Sequence, residues 1–120
     1  MRKRASIVLR MPADGNCLFH ALGHPNMSHT AVRRAVVMHL RVNWDVYKPF
    51  VDDEAYLERM ARNGEWGDEL VLRAYHHYTG RPIRVVDAHT GTCLATYTES
   101  ATSRPWKQLV YGIGHYDVLL

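Results

Sequence analysis

Apolar positions recur at two different periods along the chain, and the period changes near Pro82. Ahead of that proline the spacing is helical. Val32, Val36 and Leu40, then Ala31, Ala35 and Val42, return every three to four residues, with Arg33, Arg34 and Arg41 placed outside. This predicts a helix after a loop at 23–28, capped by Ser28 or Thr30 and ended by Pro49. A second helix is expected from Asp52 or Asp53, with acids in its first turn and Arg59 and Arg62 near its end, as the helix dipole favours. After a loop at 63–68, Asp68 is placed to cap a third helix carrying Leu70, Val71, Ala74, Tyr75 and Tyr78, stopped by Gly80 and Pro82. Upstream, residues 6–11 read as a short strand, and the run from Asp14 reads as a tight turn at Gly15 feeding a helix.

Beyond Pro82 the alternation is that of strands. Ile83 to Val86 and Cys93 to Thr98 flank a hairpin turn around Gly91, and a polar loop follows from Glu99 to Arg104. Leu109 to Tyr111 and His115 to Leu120 form two more strands around Gly112 and Gly114. Helices followed by a run of antiparallel strands make the class α+β. Cys93 alternates with apolar residues and is expected to be a buried small hydrophobe. His76 and His77, near a helix end, are expected at the surface.

Length and composition narrow this picture. A chain of 120 residues leaves room for a single domain over 1–120. With 47% hydrophobic and 22% charged residues the composition is that of a globular domain, which excludes disorder. A net charge of +3, from 15 basic and 12 acidic residues, is too small to argue for a nucleic-acid partner. No apolar run approaches the ~20 residues that span a bilayer, so no membrane role is expected. The basic start (Arg2, Lys3, Arg4) precedes too short an apolar run for a secretory leader. Two cysteines, Cys17 and Cys93, suit a reducing compartment, and a cytoplasmic monomer is the expectation.

The charge is segregated. Residues 1–48 hold eight Lys or Arg against Asp14 and Asp45, whereas residues 49–69 hold seven acids against Arg59 and Arg62. A concentrated acidic stretch in a basic chain suits either a solvated helical face or a surface for a basic ligand.

Chemistry concentrates at Cys17. A thiol where a turn becomes a helix meets the positive end of the helix dipole, and the same turn offers backbone N–H groups of Gly15, Asn16 and Cys17 to a developing oxyanion. A cysteine nucleophile needs an imidazole, and His115 opens the last strand. Asp117, two residues on, falls on the same strand face and is placed to orient it. His20 and His24 lie three and seven residues after Cys17 and are better read as packing or solvent-exposed residues than as the base. The paired Cys or His spacings of a structural zinc site are missing from Cys17, His20, His24, His89 and Cys93, so no metal is assigned.

The run Asp14-Gly15-Asn16-Cys17-Leu18-Phe19-His20-Ala21 resembles the cysteine motif of the ovarian tumour (OTU) family of deubiquitinating cysteine proteases. Trp66-Gly67-Asp68-Glu69-Leu70 is similar to that family's tryptophan–glycine segment before a helix, and His115-Tyr116-Asp117-Val118-Leu119 to its histidine strand. The resemblance implies a papain-like OTU fold, with helices packed on a small, mostly antiparallel sheet and the nucleophile at a helix N-terminus. It implies cleavage after the C-terminal Gly-Gly of ubiquitin or a ubiquitin-like modifier, through a thioester and without a cofactor. Carried over, Cys17 matches the nucleophile, His115 the base, Asp117 the orienting acid and Asp14 the acid that supports the oxyanion loop.

The loop around Glu65, Trp66, Gly67 and Asp68 matches the wall of the channel for the modifier's tail, and Gly67 is expected to lie closest to that tail. The tail reads Leu-Arg-Leu-Arg-Gly-Gly, so nearby carboxylates have arginines to pair with. The chain is shorter than most members, with only two helices expected between Cys17 and Trp66, and it ends five residues after His115. That is compatible with a compact viral or bacterial member and with a domain excised from a larger polyprotein. Alternatives are a polyprotein-processing protease of the same fold and a non-catalytic ubiquitin-binding module.

Overall fold

Ser28 opens the longest helix by accepting the Ala31 N–H on its Oγ, at 3.2 Å. The computed structural model describes residues 7–120, so Arg2, Lys3, Arg4 and the first residue of the strand expected at 6–11 lie outside the described residues. That strand, β1, is Val8–Leu9, and α1 is Cys17–Gly23. The helix capped by Ser28, α2, is His29–Val42, and it stops well before Pro49. Its last turn is closed by the Asn43 carboxamide, whose Nδ2 donates to the His39 carbonyl at 2.9 Å. A single turn, α3 (Trp44–Tyr47), follows, and Pro49 sits at the start of a 3-10 turn, Lys48–Phe50, where its missing N–H costs nothing.

The acidic segment builds less helix than expected. Asp53 folds into its own turn by accepting the Ala55 N–H and holding Arg59, so α4 is only Tyr56–Met60. Asp68 caps α5, Glu69–Thr79, through the Val71 N–H at 3.0 Å, and left-handed Gly80 (φ +72°) ends it.

Four further strands, β2 (Ile83–Asp87), β3 (Cys93–Tyr97), β4 (Lys107–Gly112) and β5 (His115–Leu119), complete a sheet of order β1-β5-β4-β2-β3. Three of its pairings are antiparallel; β2 and β4 run parallel, because the loop after β3 carries the chain back past β2. The sheet is therefore mixed, within the expected α+β class. At its edge, β3 shifts register between Val85 and Val86, and Cys93 is exposed rather than buried. An edge strand with a bulge has no neighbour to cover it, which alternation alone does not reveal.

The core lies between helices and sheet, with Phe19 and Leu22 of α1, Val36 and Leu40 of α2, Val71 of α5 and Leu109 of β4 all fully buried. Burying a side chain of this size is worth roughly 1.5–3 kcal/mol, so these residues fix how α1 is presented to β5. Two polar residues depart from expectation. Arg33 is buried at 4% exposure, on the same helix face as Val32, Val36 and Val37, and not outside. His76 is fully buried, its Nδ1 bonded to the Arg81 carbonyl and its Nε2 accepting the Ser100 N–H.

Candidate active site

The turn that delivers Cys17 is built around an aspartate and a glycine. Asp14 Oδ1 accepts the Asn16 N–H at 3.0 Å, and Gly15 takes a left-handed conformation (φ +82°) that frees the turn. Asp14 Oδ2 accepts Nε2 of His20, one turn into α1, at 3.1 Å. The Asn16 N–H and then the His20 imidazole hold the exposed Asp14 carboxyl down to about 2. This commits the Asn16 N–H, one of the three donors expected for an oxyanion, to the carboxylate instead. The N–H groups of Gly15 and Cys17 carry no hydrogen bond among the described residues.

Cys17 begins α1 and is half-buried, and its Sγ receives the backbone N–H of Tyr116 at 3.5 Å. That contact seats the sulfur against the first residues of β5, beside His115. Strand alternation does place His115 and Asp117 together: the His115 Nε2 donates to Asp117 Oδ1 at 2.8 Å. A carboxylate only accepts, so Nε2 carries the proton and Nδ1 is the ring nitrogen left for other chemistry. Asp117 is buried, and the same Oδ1 accepts the Met11 N–H at 2.7 Å, which ties the segment after β1 to the pair. Among the described residues no hydrogen bond joins His115 directly to Cys17; the sulfur's partner is the adjoining backbone.

The loop before α5 divides by role. Trp66 is 65% exposed, and its ring covers Gly114, where an added Cβ would lie 2.9 Å from Trp66 Cζ3. Trp66 therefore stands next to His115. Glu65 is half-buried beside Arg59 at 3.5 Å. Gly67 faces inward: a Cβ there would lie 2.6 Å from Leu18 Cδ2 and 3.1 Å from Phe19 Cε2. Packing on α1 by itself leaves no room for a side chain at 67. The Asp68 carboxylate is occupied by its cap and by the Tyr56 hydroxyl, at 2.9 and 3.0 Å.

A groove of about 270 Å³, bordered by Glu69, Leu94, Tyr97, Tyr111 and Tyr116, runs between α5 and the sheet. Tyr116 links it to the sulfur, since its N–H is the one that reaches Cys17. Among the described residues no three His, Cys, Asp or Glu side chains gather in a metal-holding arrangement. Sequence reasoning missed the backbone donors of Met11 and Tyr116, which no side-chain motif encodes. It also missed the Asn16 carboxamide, whose Oδ1 takes the Gly64 N–H at 2.8 Å and an Arg33 N–H at 2.7 Å. Its signal was present: a polar residue next to a nucleophile in a tight turn.

Comparison with known proteins points the same way. The deubiquitinating enzyme 10 of Arabidopsis thaliana, an ovarian tumor domain-containing protein, is 36% identical over 91 residues, covering 71% of this chain and 26% of that protein. Deubiquitinase OTUD6B of Gallus gallus is 23% identical over 131 residues, covering 92% of this chain and 43% of that protein. The chain thus spans less than half the length of either relative. Among solved structures, the OTUD1 OTU domain superposes with a TM-score of 0.82 at 22% identity, covering 96% of this chain and 85% of that one. The Hazara virus OTU, solved bound to ubiquitin, superposes with a TM-score of 0.77 at 22% identity, covering 96% of this chain and 80% of that one. The family described as OTU-like cysteine protease matches residues 12–116, from the turn before Cys17 to the strand of His115, and the chain belongs to that family.

Proposed function

We propose that the chain is a thiol-dependent deubiquitinase, an isopeptidase that cleaves after the C-terminal Gly-Gly of ubiquitin or a ubiquitin-like modifier. The observation that carries the reading is the seating of Cys17 Sγ on the first residues of β5, beside an imidazole already oriented by a carboxylate. Relatives named as deubiquitinating enzymes, and a similar fold solved with ubiquitin bound, support the substrate class. Residues 1–120 act as one protease domain, as a monomer, in the cytoplasm.

In this reading the Cys17 thiolate attacks the carbonyl carbon of the terminal glycine while His115 holds the thiol's proton. The N–H groups of Gly15 and Cys17 receive the oxyanion, and Asp14 keeps their turn in shape. Collapse of the tetrahedral intermediate expels the lysine amine, which takes its proton from His115. Water, deprotonated by His115, then attacks the thioester and releases the modifier's carboxylate and the Cys17 thiol. Asp117 fixes the ring so that Nδ1 does this work. Every step uses protein groups and water. Trp66 and Glu65 line the approach, and Glu69, at the groove that ends near Tyr116, offers a carboxylate to an arginine of the tail.

The test is a ubiquitin probe carrying a thiol-reactive C-terminus. Wild type and Cys93→Ser form a covalent adduct, whereas Cys17→Ala forms none and loses turnover by at least about 10³-fold. Labelling that survives Cys17→Ala, or that disappears in a folded Cys93→Ser protein, would assign the chemistry to the other sulfur. A wild type that reacts with a ubiquitin-like probe but not with ubiquitin would move the substrate to that modifier.

A further inference from the structure

Arg33 makes contacts that an ordinary core residue does not need. Its Nη1 donates to the Met60 carbonyl at 2.8 Å, and its Nη2 to the Glu65 carbonyl at 2.8 Å and to Asn16 Oδ1 at 2.7 Å. The guanidinium lies over the Phe19 ring, 3.9 Å from its centroid. Asn16, equally buried at 3% exposure, uses the same Oδ1 to hold the Gly64 N–H. One carboxamide oxygen and one guanidinium therefore join the turn before Cys17 to the loop before Trp66.

The backbones also touch where these groups clamp them. Gly15 and Gly64 are both left-handed, at φ +82° and +88°, and a Cβ on Gly15 would run into the Gly64 carbonyl oxygen. The two turns therefore pack backbone against backbone, with no room for a side chain between them. Keeping a charge here carries a cost of its own. The Arg33 Nε is buried with no partner among the described residues, and burial pulls the guanidinium below its ordinary range. Arg33 does satisfy three acceptors, the Met60 and Glu65 carbonyls and Asn16 Oδ1, so an apolar residue of similar size would leave them without this donor at a cost in stability. An apolar residue would fill the space above Phe19, but it would not hold the Glu65 carbonyl and the Asn16 carboxamide in one plane.

We infer that Arg33 is a positioning residue for the acyl transfer: it fixes the turn presenting Cys17 and the loop presenting Trp66 as a single rigid body. The inference rests on the reading of Cys17 as the nucleophile. A binding role would place Arg33 on the surface that meets the modifier; its burial beneath both turns gives it an effect on the reacting geometry, and so on kcat rather than KM.

The experiment compares wild type, Arg33→Lys, Arg33→Met and Asn16→Ala on a fluorogenic ubiquitin amide. Melting temperature and the alkylation rate of Cys17 by chloroacetamide are measured alongside. Lysine keeps the charge but cannot reach three acceptors in a plane. In Arg33→Lys, kcat falls about 10- to 100-fold, as small misplacements of reacting groups do. KM stays within about threefold and alkylation within about twofold, since a small reagent needs the thiol but not the shaped turn. The double variant Arg33→Lys/Asn16→Ala is no slower than the slower single variant, because both break one clamp. Unchanged kcat in folded variants overturns the inference. So do effects that add in the double variant while kcat, alkylation and melting temperature fall together, which would make Arg33 a brace for the fold.

Should Arg33→Met fail to fold, Arg33→Lys and Asn16→Ala carry the comparison. Amide hydrogen exchange reads the clamp without any substrate. Exchange at 14–17 and at 60–66 rises by the same factor in Arg33→Lys while β4 and β5 hold, and unequal rises overturn the inference. A wild type inactive on ubiquitin defeats the function proposed above and leaves this second readout to decide.

Discussion

Asp117 places a single oxygen between two donors, the His115 ring and the Met11 N–H. An asparagine can offer one oxygen to both, whereas alanine leaves the ring free to turn and the Met11 N–H without its acceptor. Asp117→Asn is therefore expected to lower kcat/KM about tenfold and Asp117→Ala about 100-fold, the latter at the lower end of what acid–base groups contribute. Steady-state kinetics on one ubiquitin substrate checks the order of the two. Asp14 acts on a different residue, His20, and its effect is legible in pH. Its folded carboxyl sits near 2 against 3.8 for an ordinary aspartate, so the stabilisation it supplies is complete above 3.8 and is lost as the pH falls through about 2. Thermal melts of wild type and Asp14→Asn should differ at pH 5 and converge toward pH 2. The turn before Cys17 and the pairing of His115 with Asp117 were readable from the sequence because their geometry is local: a turn before a helix, and alternation along a strand. Arg33 was not, although its place between Val32 and Val36 put it on the buried face. A guanidinium ordinarily faces solvent, and only the tertiary contacts show what this one is bonded to.

The β4–β5 hairpin carries His115 on a two-residue turn, Ile113 and Gly114, with φ of +52° and +72°. Both residues are left-handed, the arrangement that matches strand twist and favours Asn-Gly. Isoleucine is a poor fit, since its branched Cβ crowds the backbone there, and its side chain is 91% exposed with no packing to compensate. Ile113→Asn should stabilise the protein by about 1 kcal/mol, raising the melting temperature by a few degrees. Calorimetry decides it, and a lower melting temperature would show that Ile113 is held by something other than the turn. The hairpin itself was readable from Gly112 and Gly114. The parallel pairing of β2 with β4 was not, because alternation gives the faces of a strand but not its neighbours. For the same reason the exposure of Cys93, on an edge, escaped a reading based on pattern.

Across the whole molecule, Lys107 at the start of β4 is buried and donates to the His24 carbonyl beyond α1, at 2.7 Å and 83 residues away. Burial, and then the nearby Arg81 charge, lowers this lysine from 10.5 to about 8. The folded protein thus binds that proton more weakly than the unfolded chain does. The cost of charging Lys107 is present in full below about 8 and fades as the pH rises from 8 toward 10.5, so stability should climb over that window. Denaturant unfolding from pH 7 to 10 should show a rise of roughly 1–3 kcal/mol in wild type that is missing in Lys107→Met. A parallel rise in both would trace it to other groups.

The contact between Cys17 and Tyr116 spans 99 residues, and it sets a clock as well as a site. A ribosome adding roughly 5–20 residues per second exposes the sulfur first and needs about 5–20 seconds more to deliver the strand that bears its imidazole. Throughout that interval the emerging polypeptide holds a thiol with no base beside it. Neighbouring nascent chains can meet that thiol before β5 arrives with the Tyr116 N–H that seats the sulfur and the His115 ring beside it.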